Sequence, residues 1–398
     1  MPADPDSDPV PEPAGVLMPL MPVMLVLFVA YLVIGITMPA LPLHVNQGMG
    51  LSPFVVGVVG STQFAAALFS RFWAGAHSDA RGPKNAMIAG LLTIALSGVA
   101  YLVSLQFAAA PHISVAVLMV GRLLLGIGQS FIVMGSMSWG LTLAGPANTG
   151  KVMAWMGIAL YAAVAIGAPI GTALYEAAGF FAIALASILA PVATLLLIAR
   201  LQPVPGVRQP RAAFTKVAGA VWLPGLGLAL SVVGFGAITT FIALLYVERG
   251  WDHVWLAFTT TSLAFIFGRV VLGHLPDRIG GARVAAVCVL IEVAGQLMIW
   301  QSPSVTLTLV GVALTGFGYA LVYPGFGVEA IRRAPAQNRG LAMGAFTAFY
   351  DLSLGVSGPL LGLAAGAAGI GSVFLVSAVA AIAGAMIAAW LVWRPQRG

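Results

Sequence analysis

Residues 75–84 read GAHSDARGPK, and residues 273–281 read GHLPDRIGG, 198 positions further along the chain. In each stretch a glycine is followed four residues later by an aspartate, as Gly75 and Asp79 in the first and as Gly273 and Asp277 in the second. Further along, the offset changes to 190, and Gly126 and Gly128 recur as Gly316 and Gly318. An ordered series of this kind indicates an internal repeat of about half the chain.

The composition around the repeat is that of a membrane protein. Of the 398 residues, 60% are hydrophobic and 8% are charged, and the mean hydropathy is +1.01. Because soluble domains carry about 25% charged residues, a soluble enzyme is excluded. A transmembrane barrel is also excluded, because its strands alternate polar and apolar residues, whereas the apolar runs of this chain are continuous.

Twelve apolar runs are long enough to span a bilayer as helices, each of which needs about 20 residues. They cover residues 16–43, 53–74, 85–107, 113–136, 152–175, 180–199, 219–247, 254–274, 283–301, 304–327, 341–364 and 372–393. The sequence therefore predicts an all-α polytopic membrane protein with twelve transmembrane helices in two six-helix halves. The single cysteine, Cys288, permits no disulfide framework.

The distribution of Lys and Arg predicts the orientation. With the N-terminus on the cytoplasmic side, 16 of the 18 basic residues fall on that side, which agrees with the positive-inside rule. We expect a disordered cytoplasmic tail (1–15), a six-helix bundle (16–199), a cytoplasmic linker (200–218) and a second bundle (219–394). Both termini are then cytoplasmic. The net charge of +6 reflects this topology, and no nucleic-acid partner is expected.

Several motifs resemble those of major facilitator transporters. The family has a signature in the loop between helices 2 and 3, which GAHSDARGPK resembles. The same signature is repeated between helices 8 and 9, where GHLPDRIGG resembles it. GRLLLGIGQS (121–130) resembles the helix 4 signature, and YAAVAIGAPIG (161–171) is a looser form of the helix 5 signature of proton antiporters. At the level of subfamilies, the chain resembles the YhhS/YfcJ-type proteins of the bacterial drug and sugar efflux branch. The stretches that carry this resemblance are LLLGIGQSF and QNRGLAMGAFTAFYDLSLGVSGPL.

Three charged residues lie deep within apolar runs: Arg122, Glu292 and Asp351. A charge at the bilayer centre costs about 2.5–3.5 kcal/mol on insertion scales, so pairing or function is the default interpretation. The resemblance implies that helices 4 and 11 line the central cavity. Burial favours the protonated form of a carboxylate, so Asp351 is the main proton-coupling candidate. Glu292 is either a second coupling residue or a structural one, since the family places helix 9 in an outer layer.

The remaining candidates form two groups. Arg122 keeps its charge permanently and either binds an anionic group, tunes a carboxylate or bonds backbone carbonyls. The expected substrate cavity comprises Arg122 together with Tyr31, Gln63, Gln129, Tyr161, Tyr319, Tyr323 and Tyr350. The expected cytoplasmic gate, in which loop aspartates meet the positive N-termini of helices in the other half, comprises Gly75, Asp79, Arg81, Lys84, Gly273, Asp277 and Arg278.

The resemblance implies a secondary active transporter of the bacterial inner membrane rather than an enzyme. We expect proton-coupled antiport that exports a small organic molecule such as a drug, sugar or metabolite, and a monomer that needs no cofactor or metal. A uniporter or importer on the same fold is the alternative. A membrane-embedded enzyme or a channel is disfavoured, because the sequence shows neither a catalytic cluster nor a symmetric pore-lining segment. ATP-driven transport is disfavoured as well, because no phosphate-binding loop is present.

Overall fold

The computed structural model describes residues 13–145, 148–204, 215–335 and 339–393, and its long elements are all helices. The bounds are α1 Pro13–Leu43, α2 Pro53–Arg81, α3 Pro83–Leu105, α4 Pro111–Ala144, α5 and α6 together Thr149–Ala199, α7 Thr215–Glu248, α8 Trp255–Leu272, α9 Gly281–Gln301, α10 Val305–Arg333, α11 Arg339–Ala368 and α12 Ser372–Trp393. A π-helical turn, His44–Gly48, follows α1, and a one-turn helix, Leu275–Ile279, precedes α9.

The segment Thr149–Ala199 contains two membrane spans. Its 51 residues would extend about 77 Å as a single helix, far more than the roughly 30 Å of a bilayer core. The backbone leaves helical geometry at Ala178 and at Gly179, where φ is 63°, and glycine adopts this conformation without steric cost. We therefore call residues 149–177 α5 and residues 180–199 α6. Eleven helical segments of the described chain have the length and composition of membrane spans, and this break makes them twelve, as predicted.

Three helices extend beyond their predicted apolar runs. The runs were expected to end at residues 74, 136 and 327, whereas α2 ends at Arg81, α4 at Ala144 and α10 at Arg333. An apolar run marks only the part of a helix that contacts lipid. The backbone hydrogen bonds of the same helix continue into the polar sequence that follows, so the helix is longer than the run. At the end of α2, Gly82 has a φ of 87° and its N–H bonds to Ser78, and Pro83 then starts α3 at a position where proline is favoured.

The two ends of the helix bundle differ in how the halves pack. We call the end with residues 75–84 and 273–283 the motif side and the opposite end the far side. On the far side one hydrophobic cluster joins both halves and includes Leu41 and Val56 from the first, and Phe241 and Leu361 from the second. Toward the motif side each half has its own cluster, except that Tyr161 and the partly buried Phe64 and Leu160 of the first half pack with the cluster of the second. The described helices thus form a bundle whose two halves meet and close on the far side.

Close contact between α2 and α11 closes the far side. A Cβ atom on Gly57 would lie 2.1 Å from the carbonyl oxygen of Gly358, so these two backbones touch. Nearby, the Ser61 hydroxyl donates to the carbonyl of Leu354 at 2.7 Å. Small residues allow such close approach of membrane helices. This interface places residues of the two halves together at the centre of the protein.

Parts of the predicted domain boundaries lie outside the described residues. This applies to residues 1–12 of the expected tail and to residues 205–214 of the expected linker. Residues 13–15 of the predicted tail belong to α1, and residues 215–218 of the predicted linker begin α7. The domain boundaries therefore stay a prediction.

Candidate functional site

An ion pair crosses the interface between the two halves near the middle of the bundle. Arg71 Nη2 on α2 lies 2.5 Å from Asp351 Oδ2 on α11. The Asp351 side chain is 3% exposed and that of Arg71 is 23% exposed. The pair therefore joins an almost completely buried carboxylate to a guanidinium that keeps partial access to its surroundings.

The helix bounds explain the depth of this pair. Arg71 lies ten residues before the end of α2 at Arg81, and Asp351 lies twelve residues after the start of α11 at Arg339. At 1.5 Å per residue both lie about 15–18 Å from the motif-side ends of their helices, which is close to the midplane of a 30 Å core. Arg71 is one of the 16 basic residues that the sequence analysis assigns to the cytoplasmic side, because the second apolar run was taken to end at residue 74. The structure instead places Arg71 with Asp351.

A hydrogen-bonded network of three predicted cavity residues lies in the first half. The Gln63 Nε2 group on α2 donates to Gln129 Oε1 on α4 at 2.6 Å. The Gln129 Nε2 group in turn donates to the Tyr31 hydroxyl on α1 at 2.9 Å. The Tyr31 hydroxyl also lies within electrostatic range of Arg71 and Asp351. The network therefore links α1, α2 and α4 close to the ion pair.

Four predicted tyrosines cluster near the ion pair. The Tyr323 hydroxyl is hydrogen-bonded to Thr347 at 2.7 Å, and the Tyr323 and Tyr350 rings meet edge to face at 6.4 Å. Both phenols interact electrostatically with Arg71 and Asp351. Tyr319 interacts with the hydroxyls of both Tyr350 and Tyr161. With Tyr31, these residues make up what we call the tyrosine group: Tyr31, Tyr161, Tyr319, Tyr323 and Tyr350.

Two phenylalanines that the sequence did not single out complete this aromatic surface. The Phe265 ring stacks on Tyr161 with ring centres 3.6 Å apart, and the Phe235 ring stacks on Tyr319 at 4.9 Å. Tyr161 lies in the first half, whereas Phe235 and Phe265 lie in the second. Aromatic residues are frequent in hydrophobic spans, so only their spatial proximity to the tyrosine group reveals them.

Arg122 lies apart from the Arg71–Asp351 pair. It is 6% exposed and donates to the carbonyls of Val59 at 3.4 Å and Gly60 at 3.3 Å, both on α2. This geometry agrees with the expected alternative of bonding to backbone carbonyls. Arg122 also lines a small chamber of about 30 Å³ together with Gln63.

Glu292 is buried within the second half. It is fully inaccessible, and its Oε1 atom packs against Gly234 of α7, next to the Gln296 side chain. Neither carboxylate oxygen has a hydrogen-bond partner among the described residues. Gln296 itself donates to the Gly234 carbonyl and to Thr315. The structure therefore places Glu292 in the packing between α7, α9 and α10 and not beside Asp351.

The predicted gate residues all lie at the motif side. Gly75 is next to Met134, Asp79 is partly buried, and Arg81 is exposed. In the second motif Gly273 is the C-cap of α8, and Asp277 and Arg278 are exposed on the one-turn helix. Lys84 donates to the carbonyls of Ala199 and Leu201, where a cation is favourable at the C-terminus of α6.

One acidic residue of this region was missed by sequence reasoning. Glu329 near the end of α10 accepts a hydrogen bond from the backbone N–H of Ala282 at 3.4 Å. It also forms ion pairs with Arg332 at 3.8 Å and with Arg333 at 4.0 Å. Glu329 thereby stabilises the N-terminus of α9 within its own half. Glu329 lies just after a long apolar run, and nothing in the sequence around it predicts the contact with Ala282.

The family model described as Major Facilitator Superfamily matches residues 23–291 and 253–398. An uncharacterized MFS-type transporter of Salmonella typhimurium (strain LT2) is 42% identical over 364 residues, covering 91% of this chain and 93% of that protein. An uncharacterized MFS-type transporter of Burkholderia mallei (strain SAVP1) is 41% identical over 399 residues, covering 98% and 97%.

Solved structures share the fold at much lower identity. The nucleoside transporter NupG is 13% identical with a TM-score of 0.72, covering 94% of this chain and 99% of that chain. The E. coli fucose:proton symporter FucP is 16% identical with a TM-score of 0.65, covering 94% and 98%. The human organic anion transporter MFSD10 is 17% identical with a TM-score of 0.68, covering 94% and 99%. The chain belongs to the Major Facilitator Superfamily and is a multi-pass membrane transporter, not an enzyme.

Proposed function

We propose that this transporter exports a small organic molecule in exchange for protons, with Asp351 as the proton carrier. It resides in the bacterial inner membrane, with the motif side and both termini cytoplasmic. The observation that carries the proposal is the ion pair between Arg71 and Asp351. The resemblance of the motifs to the drug and sugar efflux branch, and to its YhhS/YfcJ-type subfamily, supports export rather than import.

Protonation of Asp351 would change the contact between the two halves. The charged pair attracts α2 to α11, and the attraction is strong because the Asp351 side chain is almost completely removed from water. A proton on the carboxylate removes its negative charge and leaves Arg71 without its counterion. Because alternating access is a relative movement of the halves, a protonation that weakens this pair favours one orientation over the other.

The tyrosine group and the glutamine network suit a solute with a ring and hydrogen-bonding groups. Stacked aromatic rings such as Tyr161 and Phe265 bind flat or apolar faces. The amides of Gln63 and Gln129, which are linked to Tyr31, supply hydrogen-bond donors and acceptors. A substrate hydroxyl or amine that donates to the Asp351 carboxylate would compete with the proton for the same oxygen atoms. Such competition produces antiport.

The experiment proceeds in two steps. A thermal-shift screen of the purified protein over metabolites, sugars and antibiotics identifies a bound compound. Transport of that compound is then measured in proteoliposomes with an imposed pH gradient and, separately, as exchange without a gradient. We expect Asp351→Asn to abolish gradient-driven transport and to keep exchange. Undiminished gradient-driven transport in this variant would remove Asp351 from the mechanism.

A uniporter or importer is the second candidate. The far side of the described bundle is closed, which is a state that exporters and importers share. A gradient with the acidic side facing the far side separates the possibilities. An antiporter moves the solute toward the acid, a proton-coupled importer moves it away from the acid, and a uniporter does not respond.

A further inference from the structure

Arg122 is a buried cation that lacks an acidic partner. Among the described residues its guanidinium takes part in no ion pair, and its bonds to the carbonyls of Val59 and Gly60 are long, at 3.4 and 3.3 Å. Tyr101 lies beside it, but a phenol is a neutral neighbour at physiological pH. An uncompensated buried charge costs several kcal/mol, so this position favours a negatively charged ligand.

A chamber adjoins this guanidinium at the interface of the two halves. Its volume is about 30 Å³, which accommodates about two water molecules or one ion the size of chloride. The walls come from α1, α2 and α4 of the first half and from α7 of the second, and no Asp or Glu lines them. The chamber is too small for an organic solute, and of the residues in the proposed substrate site it shares only Gln63.

A second polar group faces this region from the other half. Thr240 on α7 lines the chamber, and its hydroxyl lies near Gly60, whose carbonyl accepts a bond from Arg122. The other two lining threonines donate to backbone carbonyls of their own helices, Thr37 to Ile34 and Thr239 to Phe235. In the described part of the chain the Thr240 hydroxyl has no such bond, so it is available to donate to a ligand.

We propose that Arg122 and Thr240 bind a small inorganic anion, such as chloride, in this chamber. The anion neutralises the guanidinium on α4 and accepts a hydrogen bond from α7, so it links the two halves on the far side. Binding therefore favours the state in which the far side is closed. This inference goes beyond the proposed function, because it concerns an inorganic anion at Arg122 and requires neither a substrate nor a proton gradient.

The test uses purified full-length protein without substrate. Thermal unfolding is followed in potassium chloride, in potassium bromide and in potassium gluconate, at equal concentration and pH. For the unchanged protein we expect chloride and bromide to raise the melting temperature by about 3 °C over gluconate, because a ligand of the folded state stabilises it. Arg122→Gln should lose this difference. Arg269→Gln is the matched control, since Arg269 is also an intramembrane arginine that donates to a carbonyl, that of Ala320, and it should keep the difference.

Two further variants keep the test decisive if Arg122→Gln does not fold. Arg122→Lys retains the charge and should keep part of the chloride effect, and Thr240→Val removes the hydroxyl at constant size and should weaken it severalfold. Equal melting of the unchanged protein in chloride and gluconate would overturn the proposal and indicate that the chamber holds water only. A chloride effect of full size in both Thr240→Val and Arg122→Gln would overturn it as well. Neither result bears on Asp351.

Discussion

Arg71 on α2 and Asp351 on α11 form an ion pair across the two halves, and the internal repeat has no second carboxylate at the equivalent place. At the offsets of the repeat, Arg71 corresponds to Arg269 and Asp351 corresponds to Tyr161. Arg269 does lie within electrostatic range of Tyr161, so the pseudo-symmetric contact between α8 and α5 exists with a phenol in place of the acid. Only one of the two related contacts therefore carries a group that ionises readily at physiological pH.

This asymmetry leads to the first prediction, on the proton carrier. Asp351→Asn keeps the size of the side chain but cannot bind and release a proton. We expect gradient-driven transport to fall to the background level while exchange without a gradient persists. The measurement is flux into proteoliposomes at fixed substrate concentration, with and without a pH difference.

Glu329→Gln is the control for this prediction. Glu329 is also a mostly buried carboxylate, but it binds Ala282, Arg332 and Arg333 at the motif side, outside the tyrosine group. We expect this variant to retain the response to the gradient. An equal loss of gradient-driven transport and exchange in Asp351→Asn would indicate a structural role for Asp351.

The second prediction concerns the strength of the ion pair. Loss of one partner leaves the other charge poorly solvated, so Asp351→Asn and Arg71→Gln should each destabilise the protein, by about 1–3 kcal/mol. The double variant should lose less than the sum, because it leaves no unpaired charge. Unfolding of all four proteins at low and high salt measures this coupling. Additive losses would show that the two residues do not stabilise each other.

The twelve helices and their repeat were predictable because the apolar runs and the paired motifs are properties of short stretches. The ion pair was not, because Arg71 and Asp351 are far apart in the sequence and only the packing of α2 on α11 brings them together. Asp351 itself was identified, since a charge in an apolar run is costly wherever it packs. Phe235 and Phe265 carry no such signal, as apolar side chains are expected throughout a span. Tyr161 was identified, but its stacking on Phe265 required the structure.

The third prediction separates the two buried carboxylates. Glu292 has no hydrogen-bond donor among the described residues and no access to water, so its neutral form suits its surroundings. Glu292→Gln imitates that neutral form, and we expect it to preserve gradient-driven transport. Loss of the gradient response with intact exchange, as expected for Asp351→Asn, would instead establish Glu292 as a second coupling residue.

The fourth prediction concerns closure of the far side. Gly57→Val places a side chain against the carbonyl of Gly358, so α2 and α11 can no longer meet there. We expect transport to fall at least tenfold, with the far side trapped open. Labelling of a cysteine introduced at Ser61, in a Cys288→Ser background, should become faster. Gly366→Val is the matched control, because a side chain at Gly366 on α11 meets open space.

The last prediction concerns the proposed gate at the motif side. Asp79 and Asp277 occupy equivalent positions of the repeat, and each is expected to meet a helix N-terminus of the other half when the motif side closes. Such a contact contributes about 0.3–1 kcal/mol at an accessible site. Asp79→Ala and Asp277→Ala should each shift the population toward the open motif side, and the double variant should shift it further. The accessibility of the motif side is measured by labelling a cysteine introduced at Met343 in the Cys288→Ser background. We expect the rate of labelling to rise about two- to fivefold. Asp252→Ala on the far-side loop is the control and should leave the rate unchanged. If neither single variant nor the double variant alters labelling, these aspartates do not form a gate.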